Sequence, residues 1–511
     1  MDDKIIVTNR SALAAKYGAQ GLRKVRQALV ALVAADKKRG IKSRVVYLDD
    51  KAGMKKVRGK PVTNARDPRQ NKAAIDAVFK ASNPDYLMIL GAIDVVPHQD
   101  LSNPAFSDGD DDDNPAWGDL PYACDAPYSR DPAKFVGPTR VVGRVPDMVS
   151  AGEPSYLVGL LKTAAAYATR PASDYLRYFG LSAKVWQGST RLSLNNIFGN
   201  ATDLLLAPPS GPNHPKSQLK RRMHFINCHG GSASAEFQGQ QGNSYPLSLT
   251  SKATRRKISD GSIAAVECCY GAQLYDAITL GIDPPICQSY LGQGAYGYLG
   301  STTIAYGPAD DNGAADLICQ YFLLSVLDGA SIGRATLVAR QQYVANAAQM
   351  DAIDLKTLAQ FCLLGDPSVH PVTAVVAAGV PKSTPDADAE RVFRAERRSK
   401  LRQTGEFLQE SKPTASRRVP EGRVSPNTKA ALANIARLAG LSRTQEFMAF
   451  AVRRPAAFAG KRAKTAMVPS RYRIAIGTPT TKVETKASQG VAVVAKEFDG
   501  RIVGYRIYRQ R

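Results

Sequence analysis

Two short segments carry residue types that can do covalent chemistry together. The first is HFINCHGG (His224–Gly231), in which an apolar run ends on a His-Gly pair. The second is SIAAVECCYGAQLYD (Ser262–Asp276), in which another apolar run ends on Cys268, Cys269, Tyr270 and Gly271. A thiol can attack a carbonyl carbon, and an imidazole can protonate the departing amine. The N–H of Gly230, with no side chain beside it, is open to a developing oxyanion, a role that the N–H of Cys268 can share. His229 and Cys268 are therefore the candidate catalytic pair and Gly230 the candidate oxyanion donor. The cysteine doublet leaves Cys269 as the alternative nucleophile. His224 begins its strand and belongs at the far end, Cys228 reads as a small buried apolar group, and Glu267 either orients the site, lines a subsite or forms an ion pair.

Such groups meet only if their strands lie side by side in a parallel sheet, since ligands bind outside the carboxyl ends of parallel strands. The sequence has that rhythm. IIVTNR (Ile5–Arg10), RVVYL (Arg44–Leu48) and YLMILG (Tyr86–Gly91) read as strands, separated by helical patterns over Gly21–Ala35 and Asn71–Phe79. RVVGRVP (Arg140–Pro146) adds a fourth strand. A second unit follows, with strands FGLSAKVW (Phe179–Trp186), HFINC (His224–Cys228), IAAVEC (Ile263–Cys268) and AYGYLG (Ala295–Gly300), helices over 314–327 and 331–348, and an end near His370–Val376. This alternation predicts an α/β fold with helix-covered parallel sheets. Residues 1–150 form the first unit and 151–376 the second. Residues 377–425 read as a basic linker with room for one charged helix, and 426–511 as a small basic α+β domain. In that last domain, Pro426–Gly440 and Ser442–Pro455 read as helices. Val491–Arg511 reads as a hairpin turning at Asp499-Gly500.

The pairing of a hydrophobic block and His-Gly with a hydrophobic block and Cys-x-x-Gly resembles the caspase–legumain–gingipain clan. Cys268 fits Cys-x-x-Gly, whereas Cys269 gives the shorter Cys-x-Gly of caspases; Cys268 is favoured. Within the clan the chain resembles gingipains over roughly its first three quarters. The resemblance rests on YLMILGAIDVVP (Tyr86–Pro97), GDLPYACD (Gly118–Asp125), VVGRVP (Val141–Pro146), AYGYLGSTTIAYG (Ala295–Gly307) and FCLLGDPSVHP (Phe361–Pro371), in that order. It implies two caspase-like α/β/α subdomains, the second carrying the dyad, and a cysteine endopeptidase acting on proteins. It also implies that Asp119 of the Asp-x-x-Tyr stretch is the substrate-binding carboxylate of a pocket for Arg or Lys. An intracellular, conditionally activated enzyme, for instance in bacterial defence or cell death, is expected by the same analogy. The alternatives are a peptidase-like scaffold and a nucleic-acid-binding protein acting through its basic end.

Composition bounds these readings. The 511 residues carry a formal net charge of +23, which suits a polyanionic partner or an acidic regulatory protein. The basic and aromatic residues after Pro426, among them Arg473, Arg506, Arg511, Tyr472, Tyr505 and Tyr508, are the candidates for nucleic acid. Seven scattered cysteines without a CxxC pair fit a reducing cytoplasm better than a disulfide framework or a zinc site. No signal-like start and no bilayer-length apolar run is present in the sequence. The dyad requires no cofactor. The acidic loop Asp108–Asn114 suits calcium in its carboxylates but lacks EF-hand spacing; it also reads as a solvated loop or as an internal ligand for the basic end.

Overall fold

The computed structural model describes residues 2–373, 387–422, 424–453, 470–479 and 490–511. Its centre is one ten-stranded sheet. The strands lie in the order Ser43–Tyr47, Lys4–Thr8, Tyr86–Leu90, Val142–Val145, Phe361–Leu364, Gly297–Ser301, Ile263–Val266, Met223–Asn227, Tyr178–Ala183 and Leu204–Ala207. All neighbours are parallel except Phe361–Leu364 against Gly297–Ser301. The two expected α/β units are thus parallel half-sheets joined edge to edge and running in opposite directions. The join passes through Phe361–Leu364, the last strand in sequence, which pairs with Val142–Val145 of the first unit through Leu364 and Arg144.

The strand sequences explain this placement. Lys4–Thr8, Tyr86–Leu90, Met223–Asn227 and Ile263–Val266 are buried at every position, as strands covered on both faces must be. Helices supply the cover. Arg10–Lys38 begins at Asn9, whose side chain accepts from the Ala12 N–H at 2.9 Å. Pro68–Ser82 begins at Asp67 with Pro at its first position, and places Ala74, Ile75, Val78 and Phe79 on its buried face. Ala315–Leu327 and Ile332–Asn346 pack on the second unit.

The C-terminal region forms a six-stranded antiparallel sheet in the order Tyr306–Gly307, Arg501–Gln510, Val491–Phe498, Arg471–Gly477, Met448–Arg453 and Thr414–Val419. Helix Pro426–Leu438 covers one face. The hairpin turns at Asp499 and Gly500, both with positive φ (46° and 74°). Three details differ from the sequence reading. Met448–Arg453 is a strand, not part of a helix over 442–455; there the sheet neighbours decide, because Ala449 and Phe450 bury between Thr414–Val419 and Arg471–Gly477. Within 377–425, Ala387–Ser411 is the one charged helix allowed for there, docked on the first unit through Arg398 and Asp85 (2.8 Å), whereas Thr414–Val419 is a sheet strand rather than linker. The first strand of this sheet, Tyr306–Gly307, comes from the second α/β unit. Residues 374–376 of the expected second unit, 377–386 and 423 of the linker, and Arg454, Lys461, Arg462 and Lys464 lie outside the described residues.

Candidate active site

Four carboxyl ends of the second half-sheet meet at one edge: Trp186 after Tyr178–Ala183, His229 after Met223–Asn227, Glu267 to Cys269 after Ile263–Val266, and Ala305 after Gly297–Ser301. His229 is partly buried between Trp186 (ring centroids 4.3 Å apart) and Tyr245 (5.2 Å). Its Nε2 donates to Gln240 Oε1 at 2.9 Å. Gln240 is held in that orientation because its own amide nitrogen donates to Gly242 O and Tyr245 Oη, each at 3.0 Å. The other ring nitrogen, Nδ1, therefore carries the lone pair. Burial holds the imidazole down at about 4, so it is neutral near pH 7.

The cysteine doublet divides across the sheet, because consecutive residues at the end of a strand face opposite sides. Cys268 packs in the apolar layer with Cys228, Cys287, Tyr290 and Tyr298, and its Sγ accepts from the Cys228 N–H at 3.4 Å. Burial raises its pKa well above the usual thiol range. Cys269 packs in the other layer, with Ala305. Its Sγ accepts from the Ala305 N–H at 3.2 Å, and burial pushes this thiol up to about 12.

Between these residues lies Arg511. Its carbonyl oxygen accepts from the Cys269 N–H at 3.2 Å and, over a longer 3.5 Å, from the Gly230 N–H. Its own N–H donates to Ala305 O at 3.0 Å. Arg511 thus hydrogen-bonds to Cys269 and to Ala305, the residue against which Cys269 packs. Only glycine fits at 230, since a Cβ there would overlap the Cys269 carbonyl oxygen.

The Arg511 side chain fills a closed pocket and keeps only 1% of its surface exposed. Its guanidinium stacks on Trp186 (4.6 Å to the ring centroid). Nη2 donates to Asp316 Oδ1 and Oδ2 at 3.1 and 3.2 Å and to Pro308 O at 2.8 Å. Glu267 Oε2 stands 4.0 Å from Nε, a charge contact rather than a hydrogen bond. Gly307 forms the remaining wall, where a Cβ would collide with the guanidinium. Both acids are fully buried. Burial, then the Asp316 charge, pushes Glu267 well up; burial raises Asp316, while Arg511 opposes the rise. One guanidinium against two such carboxylates leaves one proton on the pair, and Glu267 is its natural holder.

Asp119, expected to bind substrate, is buried elsewhere in a closed network. It accepts from Arg144 Nη2 and Nε at 2.6 and 2.8 Å, and it lies 2.9 Å from His98 Nδ1. Burial opposes its ionisation, but the Arg144 charge beside it holds the carboxyl far below the usual range. His98, Asp119 and Cys362 are compact enough to suggest metal ligands. They do not suit one, because Arg144 already neutralises the carboxylate and burial pushes the Cys362 thiol up to about 12. The acidic loop is likewise committed. Lys356 donates to both Asp111 oxygens at 2.6 Å and to Asp113 at 3.2 Å, and Tyr270, next to Cys269, donates to Asp113 at 2.8 Å. Asp110 accepts from Thr478 at 3.1 Å, so the loop does meet the C-terminal sheet.

The candidate nucleic-acid residues divide as well. Tyr472 and Tyr508 are buried, Arg473 is buried against Glu497 (2.6 Å), and Tyr505 is exposed. All seven cysteines are free thiols, and no helix among the described residues is long and apolar enough to cross a membrane. Arg511, Asp316, Trp186 and Gln240, which surround His229 and Cys269, belong to no motif of the sequence. One signal is present: Asp316 is the one charged residue of a largely apolar helix, ADLICQYFLLSVL.

No family model matches the sequence, and no curated protein matches it. Among solved structures, the chain is similar to one described as a protease, with 14% identity and a TM-score of 0.47 over 99% of this chain and 97% of that one. It is also similar to the complex of Porphyromonas gingivalis RgpB pro- and mature domains, with 10% identity and a TM-score of 0.48 over 99% of each chain.

Proposed function

We propose that the protein is a cysteine endopeptidase that cleaves after a basic residue, arginine foremost, with His229 as the acid–base and Cys269, rather than the expected Cys268, as the nucleophile. One observation carries the reading: an arginine lies with its carbonyl oxygen on the Gly230 and Cys269 N–H groups and its guanidinium on Asp316. That is the pose of a residue about to be cut at its carbonyl. The same face holds Glu267 and Cys269, two residues apart, while Cys268 points into the opposite apolar layer. Asp316, with Glu267 beside it, takes the recognition role expected of Asp119, whose charge is already matched by Arg144.

The reaction follows from these groups. The Cys269 thiol gives its proton to His229 Nδ1 as the sulfur bonds to the substrate carbonyl carbon. The oxygen gathers charge between the two N–H donors. The C–N bond then breaks, His229 returns the proton to the leaving amine, and a thioester remains on Cys269. Water hydrolyses the thioester and restores the thiol. A conditionally active, cytoplasmic enzyme of this kind, as in a bacterial defence system, fits the seven unpaired thiols. The second reading, a peptidase-like scaffold, is favoured only by the burial of both thiols.

The test uses fluorogenic peptides ending in Arg, Lys, Asp or Asn, with unaltered protein and the Cys269→Ala, Cys268→Ala and His229→Ala variants. Arg cleavage lost in Cys269→Ala and His229→Ala but kept in Cys268→Ala is the expected result. Loss in Cys268→Ala alone, with the variant folded, returns the nucleophile to Cys268. Cleavage surviving His229→Ala and both cysteine variants refutes the peptidase site.

A further inference from the structure

We infer that Arg511 is a tethered occupant of the cleft: the protein keeps its own arginine pocket filled, and a substrate binds when Arg511 leaves and the substrate's own arginine takes that place. The inference rests on the peptidase reading for its consequence, but its geometry stands apart from any chemistry.

Three observations carry it. First, the occupant arrives as a strand. Gln510 pairs with Tyr306 and Arg509 with Gly307 in antiparallel register, and the Arg511 N–H continues the ladder to Ala305 O. Backbone pairing of this kind accepts any extended sequence, while the pocket beyond it accepts one side chain. Second, the fit is closed. Trp186, Gly307 and Asp316 leave Arg511 almost no solvent contact, so a substrate arginine cannot share the pocket with it. Third, the pocket-filling residue lies outside the hairpin's own strand pairing. Residues 501–509 are held by the neighbouring strand Val491–Phe498, with Arg509 on Val491. Gln510 is still held, its N–H donating to Gly490 O at 3.0 Å, and Arg511 lies one residue past it, so Arg511 can leave the pocket by a turn of its own backbone while the hairpin stays intact. Tethering gives the occupant an effective concentration in the millimolar range. An incoming peptide then binds with its affinity reduced by the fraction of open cleft.

The experiment compares full-length Cys269→Ala protein with full-length Cys269→Ala/Arg511→Ala protein. The probe is a fluorescein-labelled hexapeptide with a C-terminal arginine amide, read by anisotropy. Arg511→Gln, which keeps the bulk and removes the charge, serves as the second occupant variant should Arg511→Ala fail to fold. Binding at least tenfold tighter when Arg511 is replaced supports the occupant, provided a hexapeptide ending in citrulline shows no such gain. Equal affinity with and without Arg511 overturns it. In the cysteine-intact protein, Arg511→Ala should raise cleavage at low peptide concentration by at least tenfold. Cysteine- and histidine-dependent cleavage that Arg511→Ala leaves unchanged overturns the occupant and keeps the peptidase. Tighter binding without any cleavage keeps the occupant and overturns the peptidase.

Discussion

Replacing Asp316 with Asn should weaken the preference for arginine less than its direct contact suggests, because Glu267 waits with a proton to release. In the pocket, Asp316 lies 3.1 Å and Glu267 4.0 Å from the guanidinium nitrogens. At an effective dielectric near 20, a full charge at those distances attracts by about 5 and about 4 kcal/mol respectively. Asp316→Asn removes one of the two causes that keep Glu267 protonated, burial being the larger, and the guanidinium then draws Glu267 into its charged form, which supplies the weaker attraction. The net loss is the difference of about 1 kcal/mol plus one charge-assisted hydrogen bond of about 1.5 kcal/mol, or roughly a hundredfold in discrimination. Glu267→Gln leaves Asp316 ionised and should cost less than tenfold. The double variant has no charge left and should lose at least a thousandfold, more than the two single effects combined. The assay is the ratio of kcat/KM for peptides ending in arginine and in the neutral, isosteric citrulline, measured in an Arg511→Ala background so that the pocket is vacant. A ratio unchanged in the double variant refutes the assignment of the pocket. A Glu267→Gln effect larger than that of Asp316→Asn refutes the division of charge.

Other outcomes follow from the same structure. Cys268→Ala removes a buried thiol and should lower stability by about 1–2 kcal/mol with cleavage retained, measured by urea unfolding and peptide turnover; a stable but inactive Cys268→Ala would contradict it. His224 is fully buried, bonded to Tyr290 and Arg221 O, and held down to about 4 by burial. The unfolded chain therefore binds the extra proton below about pH 6.5, and stability present above that pH is lost as it falls toward 4, by about 3 kcal/mol for this residue. Melting points between pH 7.5 and 4.5 should fall on acidification, less steeply in His224→Gln. Lys356→Met leaves Asp111 and Asp113 without their buried cation and should cost about 3–5 kcal/mol. Millimolar calcium should leave the Tm of the unaltered protein in place; a rise would show that the loop binds calcium despite Lys356.

The half-sheets were legible because their strands are short apolar runs between helical patterns, and His229 and Gly230 were legible because a polar pair ending such a run needs a reason. The doublet was not resolved by spacing. Cys268 and Cys269 face opposite sides of the sheet, and the side each takes is set by packing against Tyr290 on one face and Ala305 on the other. Asp119 was read without its partner: Arg144 sits in a strand of its own, and only the pairing of Val142–Val145 with Tyr86–Leu90 brings its guanidinium to the carboxylate. Met448–Arg453 was read as helix because its apolar residues satisfy both periods over six positions. Arg511 reads in the sequence as one of several basic residues for a nucleic acid, and nothing local distinguishes it. Its burial depends on strand register against Tyr306–Gly307, two hundred residues away in the chain.

That separation has a consequence in time. The strands of the second α/β unit and the proposed dyad are complete once Leu364 is made, and the arginine that fills the pocket comes 147 residues later. At about 5–20 residues per second, synthesis takes roughly 7–30 s to cover that stretch. A nascent chain whose first units fold promptly therefore passes through an interval with an open cleft, beside ribosomal surfaces and other nascent chains rich in arginine. The order of elements along the chain makes the youngest molecules the least guarded ones.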